Sequence, residues 1–418
     1  MSRKLHTAAF AVVIAALTAC GGETKGGNGN AGGFEFTFWN FGGRQPAIDV
    51  VIEEFTAANP GIRVTPSYYD TDGIKDATKV AASSGTLPTL WHNWGGMLAG
   101  FYAENDLVYD LKDYAAANNW DKIFNGGALS LCTLYGKLAG YPTSFNMMGI
   151  YYRKDIFEKY GLKVPSTFDE FEQVCAVLKR NEITPIVTAG RYGWHVMRFV
   201  EVLIEHYAGA ELHDRMNTFQ ESYDNPAVVQ ALTKFREYSG KGYFPAGFIT
   251  LDPSDLGFEF YTGNAGMVVE GQWLDGTINQ EEQDISRFGV FAFPSGGTNR
   301  LSAFAEMIQV NKNLTPEELE AAMKFLNFFQ SRENVARFPT YYNTLPLIDL
   351  EWNPDQPNVP IMMGMANTNG TFTVTDQAFP TEVSDALFRV QDGVVTGETT
   401  PQQGAAIIQA AIETYLGK

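Results

Sequence analysis

The chain has 418 residues, 45% hydrophobic and 13% aromatic, enough for two ordinary domains with sizeable cores, which excludes general disorder. Its 48 acids against 30 bases leave a formal charge of −18, a surface that repels nucleic acid and anionic lipid. The three cysteines, Cys20, Cys132 and Cys175, make no CxxC and no Cys-His spacing suited to zinc.

Residues 1–19 read as a signal peptide. Arg3 and Lys4 precede an apolar run, Ala8 to Ala19, that is too short to span a bilayer. Leu17-Thr18-Ala19-Cys20 resembles a bacterial lipobox, which makes Cys20 the lipidated residue, and residues 20–33 then read as that cysteine with a Gly-rich tether. These glycines are no phosphate loop, because Gly-Lys-Ser/Thr is missing and no strand precedes them.

Phe34 to Trp39 alternates as a first strand, and Asn40-Phe41-Gly42-Gly43 reads as a turn. A helix carrying Ile48, Ile52 and Phe55 on one face stops at Asn59-Pro60-Gly61. Ile62 to Tyr69 is a second strand, Gly73 to Ser84 a helix, and a third strand leads into Trp91. This alternation predicts an α/β fold with a mainly parallel sheet covered on both faces. Farther along, Glu182 to Thr188 reads as a strand, Gly190 to His195 as a loop and Met197 to Tyr207 as a helix. Pro226 to Tyr238 is another helix, Phe304 to Val310 a strand, and Thr315 caps a helix from Pro316 to Phe329. The tail from Pro380 reads as helices around a Gly393/Gly397 loop.

The stretch Gly136 to Ile186 organises the whole. An apolar piece ends at Gly140-Tyr141-Pro142, flexible positions follow, and Gly149-Ile150-Tyr151-Tyr152 is β-prone. Asp155 to Tyr160 is a short helix with Gly161 as its left-handed stop. Thr167-Phe168-Asp169-Glu170 has the form of a capping box, and Phe168, Phe171, Cys175 and Leu178 then recur at helical spacing. Cys175 therefore sits on an apolar face. The sequence leaves open whether it pairs with Cys132 or stays a buried thiol.

No GxSxG, HExxH, Walker loop or dinucleotide fingerprint is present. The carboxylate pairs Glu53-Glu54, Glu281-Glu282 and Glu317-Glu318 are adjacent in sequence and do not face one another on a helix. His92 and His195, beside tryptophans, are candidates to line a pocket; His206 reads as a core or surface histidine. Trp94, Trp194 and Trp273, flanked by glycine and polar residues, suit a cleft that stacks on sugar faces. Trp39 and Trp91 lie inside β runs and read as core, and Trp120 and Trp352 as structural.

The run GIYYRKDIFEKYGL-VPSTFDEF, with EEFTAANPGIRV, AASSGTLPTLWHNWGG and the Phe258 to Trp273 phrase, resembles extracellular solute-binding proteins. These are the sugar-binding components of ABC importers, in the class that includes maltose-binding protein. Arg153 stands where Asn is usual, Phe168 where Trp is usual, and Thr89 where an Asp is usual. The resemblance implies a periplasmic-binding-protein-like fold, two discontinuous lobes joined by three hinge strands. Interruptions near Pro142–Asn146, Ser295–Gly297 and Thr344–Pro346 would mark those hinges. Residues 34–143 and 297–344 then form lobe 1, and 144–296 and 345–418 lobe 2. It further implies ligand contacts from Asn40, Arg44, Asn93, Trp94, Phe145, Asn146, Trp194, His195, Trp273, Phe304, Glu306 and Tyr341. Glu306, in apolar company, needs a partner: a hydroxylated ligand or Arg44. The expectation is a non-enzymatic monomer without metal or cofactor, anchored outside the cytoplasm by Cys20. It would pass a carbohydrate to membrane permease subunits. A surface glycan hydrolase, or a binding protein for a non-sugar solute, are the alternatives.

Overall fold

Alternation starts the sheet. Phe36 and Phe38 point into the core while Glu35 and Thr37 face water, and this period-two pattern sets strand β1 over Phe34–Phe41. In the computed structural model, which describes residues 33–338, 347 and 352–418, ten further strands follow. They are β2 (Ile62–Tyr69), β3 (Leu90–Trp94), β4 (Thr133–Leu134), β5 (Lys137–Leu138), β6 (Tyr141–Arg153), β7 (Thr184–Val187), β8 (Ala265–Gly271), β9 (Phe288–Phe291), β10 (Leu301–Val310) and β11 (Thr371–Thr373). Residues 1–19, Cys20, the tether up to residue 32, Tyr341 and the interruption at Thr344–Pro346 lie outside the described residues.

Nine strands make one sheet with the path β2-β1-β3-β10-β6-β8-β7, with β11 on β10 and β9 on β6; β4 and β5 pair apart. The sheet is mixed, not mainly parallel. β1 runs parallel to β2 and β3, and β7 to β8, but β10 is antiparallel to both β3 and β6, and β6 is antiparallel to β8 and β9. The helix-strand alternation at either end is parallel as expected. The long strands between reverse the direction.

The expected break at Pro142–Asn146 does not occur. β6 runs without interruption for 13 residues. Its first part pairs with β10 and its last part with β8 and β9, so its backbone groups stay in a ladder. Pro142 is accommodated because it faces Met307 at the register shift between Glu306 and Met307, where a missing N–H leaves no gap in regular pairing. Other boundaries move outward. β1 continues through Asn40 and Phe41 before a 3-10 turn at Gly42–Arg44, so these residues are strand and not turn. Trp194 and His195 open a helix, Trp194–Asn217, instead of lying in a loop, and that helix kinks at Gly209 (φ 70°, ψ 166°). Gly393 lies inside the helix Thr381–Thr396, and Gly397, at φ 84°, ends it.

Helix starts follow the predicted chemistry. Thr315 and Glu318 complete a capping box. Thr167 accepts from the Glu170 N–H, but the Glu170 carboxylate bonds Ser166 N at 2.7 Å, so only half of that box forms. Phe171, Cys175 and Leu178 are buried on the inner face of the helix Phe168–Arg180. Cys132 and Cys175 are both buried free thiols, and burial pushes each well above the ordinary thiol range.

The apolar core falls into separate clusters. One gathers residues from β1 to β6 with the helix Pro316–Phe329, for example Phe38, Phe55, Trp91, Trp120 and Phe325. The others gather residues of the middle and tail, including Phe171, Phe199, Phe235, Val390 and Ile408 in one and Tyr151, Phe260 and Phe288 in another. β6 and β10 contribute to both sides. Trp91 and Trp120 are thus core, as their settings imply, whereas Trp39 is half-buried against Tyr69 at 5.2 Å.

Candidate binding site

Trp94 ends β3, where the chain leaves the sheet for the helix Met97–Glu104. Trp194 opens its helix after Gly193, whose φ of 77° a side chain would strain; a Cβ there would also collide with Phe388. Trp273 opens the helix Trp273–Gln280 directly after β8. Its indole lies so close over Gly271 that any Cβ at that position would displace it.

These three indoles line one cavity of about 440 Å³ with Arg44, Asn146, Phe304 and Glu306. They are connected by cations. Lys75 Nζ sits 4.7 Å from the Trp94 ring and 5.6 Å from the Trp194 ring. The Arg198 guanidinium sits 4.7 Å from the Trp194 ring and 5.2 Å from the Trp273 ring. Phe304 meets Trp273 edge to face at 5.5 Å.

Two carboxylates of the wall, Glu306 and Glu270, are paired with arginines. Arg44 Nη2 donates to Glu306 Oε2 at 2.9 Å. Burial alone would raise the Glu306 carboxyl, but the Arg44 charge and hydrogen bond, with smaller help from Ser144, hold it below the usual range. Arg198 Nη1 pairs with Glu270 Oε2 at 2.8 Å, and His195 Nε2 lies 3.1 Å from Glu270 Oε1. There too burial is outweighed, chiefly by Arg198, and Glu270 stays ionised. Asp376 behaves oppositely: burial raises it against the pull of Lys75 and Arg198. Its segment is held from beneath by Glu201, whose Oε2 accepts from Thr375 N at 2.9 Å and Thr375 Oγ1 at 3.0 Å. Burial pushes Glu201 up to about 8. Behind the wall, burial keeps His92 neutral down to about 3, its ring wedged between Phe41 and Trp94.

Other expected contacts lie elsewhere. Asn40 is buried, and its Oδ1 accepts from the Phe41 N–H at 2.8 Å. Asn93 donates to Gln309 Oε1 at 2.8 Å and accepts from the Trp94 N–H at 2.8 Å; it borders a second cavity behind Trp94. Each amide oxygen is taken by the next backbone N–H, and the Asn93 amide nitrogen by Gln309, and neither residue lines the main cavity. Phe145 turns away toward Gly127, and its carbonyl accepts from Gln272 Nε2 at 3.0 Å. His195 is buried between Thr188 Oγ1 (3.0 Å) and Glu270, so it orients a wall residue without lining the wall. Tyr341 is outside the described residues.

Lys75, Arg198, Glu270 and Asp376 line the cavity and were not expected from the sequence. Arg198 had a readable cue, since it stands four positions after Trp194 on one helix and therefore on the same face. Asp376 had none, because its place depends on packing of the tail. Among the described residues no group of three or more His, Cys, Asp or Glu side chains could hold a metal ion. No helix among them is long and apolar enough to cross a membrane.

Comparison with known proteins agrees with this architecture. A multiple sugar-binding protein of Streptococcus mutans is 24% identical over 302 residues, 69% of each chain. Among solved structures, a chitin oligosaccharide binding protein superposes with a TM-score of 0.84 at 21% identity, covering 92% of this chain and all of its own. The maltose-bound MalE3 of T. maritima superposes with a TM-score of 0.79 at 22% identity, over 91% of this chain and all of its own. These likenesses carry the fold, that of the periplasmic solute-binding proteins. The profile of the bacterial extracellular solute-binding protein family matches residues 51–349, and the chain belongs to that family.

Proposed function

We propose that this protein is the substrate-binding component of an ABC importer and captures a carbohydrate. The observation that carries this reading is the set of three indoles bordering one cavity with charged and amide groups at their edges. Indole faces cover the apolar C–H face of a sugar, while Asn146, Glu306 and Glu270 accept from hydroxyls. With arginines holding Glu270 and Glu306 ionised, both carboxylates act as acceptors for sugar hydroxyls. The same pairing leaves them less suited to a polyamine. Relatives named for sugars support the substrate class.

The mechanism in this reading is closure of two lobes, residues 34–143 with 297–344 and residues 144–296 with 345–418, on the ligand. The separate apolar clusters and the long shared strands support the division. A ligand touching Trp94 on one side and Trp273 on the other stabilises the closed form, because only that form offers both contacts. The protein would act as a monomer and meet the permease subunits closed.

A thermal-shift screen against saccharides, polyols, amino acids and polyamines tests the substrate class. Ligand at about 100 times its dissociation constant adds about 2.7 kcal/mol, a rise of several degrees. A rise confined to saccharides, with the sugar recovered unaltered, is the expected result. A rise with amino acids or polyamines alone, or a shortened saccharide, overturns it. We also propose that Cys20 carries the lipid anchor, on the strength of Leu17-Thr18-Ala19-Cys20. Labelled palmitate should enter the wild-type chain and fail to enter Cys20→Ala; equal labelling of both removes the anchor.

A further inference from the structure

The cavity that holds the three tryptophans does not end at Trp273. A third cavity, of about 950 Å³, borders Trp194, Glu270, Trp273, Thr277 and Asp70, all of which also line the first. The two therefore adjoin along a shared wall, and together they make a trough. The first volume is near the low end of what a small ligand fills, and the third alone is near the top of that range, roughly 300–1,000 Å³. A single sugar ring would leave most of such a trough filled with water.

The outer part has its own chemistry. Two aromatic residues stand on its border with much of their surface in water: Phe258, 69% exposed on the helix Leu256–Thr262, and Tyr192, 38% exposed. The Phe258 ring is held mostly in water, and Tyr192, less exposed and with the Arg191 guanidinium 5.5 Å from its ring, borders the same groove, so a ligand there would meet both rings. Six carboxylates border this part, from Asp70, Asp72, Asp252, Asp255, Glu270 and Glu281. Among the described residues no lysine or arginine borders it. Three of the six are paired with cations that stand off this border: Arg191, itself 58% exposed, reaches Asp252 at 3.0 Å, and from the inner cavity Lys75 reaches Asp72 at 3.3 Å and Arg198 reaches Glu270 at 2.8 Å, which leaves three carboxylates without an ion pair among the described residues. The field in the outer trough is thus negative, which repels any anionic ligand entering it.

We propose that the ligand is an oligosaccharide of at least about three units, free of carboxylate and sulfate groups. Its first units occupy the tryptophan cavity and its later units run outward past Trp273 onto Phe258 and Tyr192. This rests on the carbohydrate reading above and adds chain length and charge to it. Phe258 and Tyr192 act as outer platforms, and the carboxylates accept hydrogen bonds from hydroxyls while excluding uronic acids.

Titration calorimetry of the purified protein tests it, with mono- to pentasaccharides of the glucose, xylose and N-acetylglucosamine series and matched oligogalacturonides. In whichever neutral series binds, affinity should rise about tenfold or more between the disaccharide and the longer members. Phe258→Ala should remove most of that gain and leave the shorter members unchanged. Its exposure makes the substitution harmless to folding, and an unchanged melting temperature without ligand checks this. Tyr192→Ala, from a different segment, should act in the same direction. Oligogalacturonides should bind at least about tenfold more weakly than the neutral series at low salt. Equal affinity from one unit to five, a Phe258→Ala loss spread evenly over all lengths, or tight binding of the acidic oligomers each overturns the proposal while leaving carbohydrate binding intact. Failure of every series removes the carbohydrate reading and this one with it.

Discussion

Trp273→Ala should weaken binding of the responding saccharide by about 30- to 100-fold, the effect of removing a central aromatic anchor worth roughly 2–3 kcal/mol. Trp273 is singled out because it borders both parts of the trough and closes the run of rings and cations from Trp94 through Lys75, Trp194 and Arg198. Its indole is half-buried, and Gly271 beneath it leaves room for the chain to stay in place. Folding should therefore survive, and Trp273→Phe should retain part of the affinity because a smaller ring still covers the sugar face. Calorimetric titration of the three proteins with the same saccharide measures this. Unchanged affinity in the alanine variant would remove Trp273 from the binding surface.

The second large effect concerns stability. Arg153 is 2% exposed, yet it carries a full charge into the middle of the chain. Its Nε and Nη2 donate to the two oxygens of Asp155 at 2.8 and 2.7 Å, and its Nη1 donates to the carbonyls of Phe260 and Tyr261 at 2.8 and 2.9 Å. Phe288 covers its face at 5.3 Å. It therefore ties the end of β6 to the helix before β8. Arg153→Asn installs the residue usual in the resembling sequences but cannot reach those carbonyls. Two buried acceptors would lose a charged donor, at a cost of about 3 kcal/mol. At about 2–4 °C per kcal/mol, the melting temperature should fall by roughly 6–12 °C. Arg287 also pairs with Asp155, but nearer water, so Arg287→Met should cost under about 1 kcal/mol. Equal losses in the two variants would show that the carbonyl contacts contribute nothing. The acid limb follows the same network. Burial works against the Asp155 carboxylate, but hydrogen bonds from both arginines hold it at about 2, below its ordinary 3.8. A depressed carboxylate stabilises the fold fully above its unfolded value, so this contribution should fade as pH falls from about 4 through about 2. Arg153→Asn should shrink that fading.

Much of the fold was legible because it depends on local rules. The periodicity of Ile48, Ile52 and Phe55, the cap at Thr315 and the stop at Gly161 act within a few residues, and the elements they predict are present. The direction of the sheet was not legible. β6 and β10 look like any β-prone run, and only their distant partners decide that they run against their neighbours. The same divide holds at the site. Trp94, Trp194 and Trp273 betrayed themselves as large rings set among glycine and polar residues. Asn40 and Asn93 looked equally placed, but their amides are spent on neighbouring backbone and on Gln309, a balance that no local reading could strike. Lys75 and Asp376 reach the cavity from segments whose placement is purely tertiary.

The central position of β10 also bears on how the chain reaches its fold. β3, buried along its whole length, lies between β1 and β10, and the bond from Trp91 Nε1 to Gln309 Oε1 joins residues 218 apart. A chain emerging from its N-terminus can assemble β1, β2 and β3, but the far edge of β3 stays open until most of the protein has appeared. That edge is a row of unpaired N–H and C=O groups ready to meet another strand. Folding should accordingly be slow and governed by late arrival of β10, with aggregation as its competitor, and the risk should peak in chains truncated before Leu301.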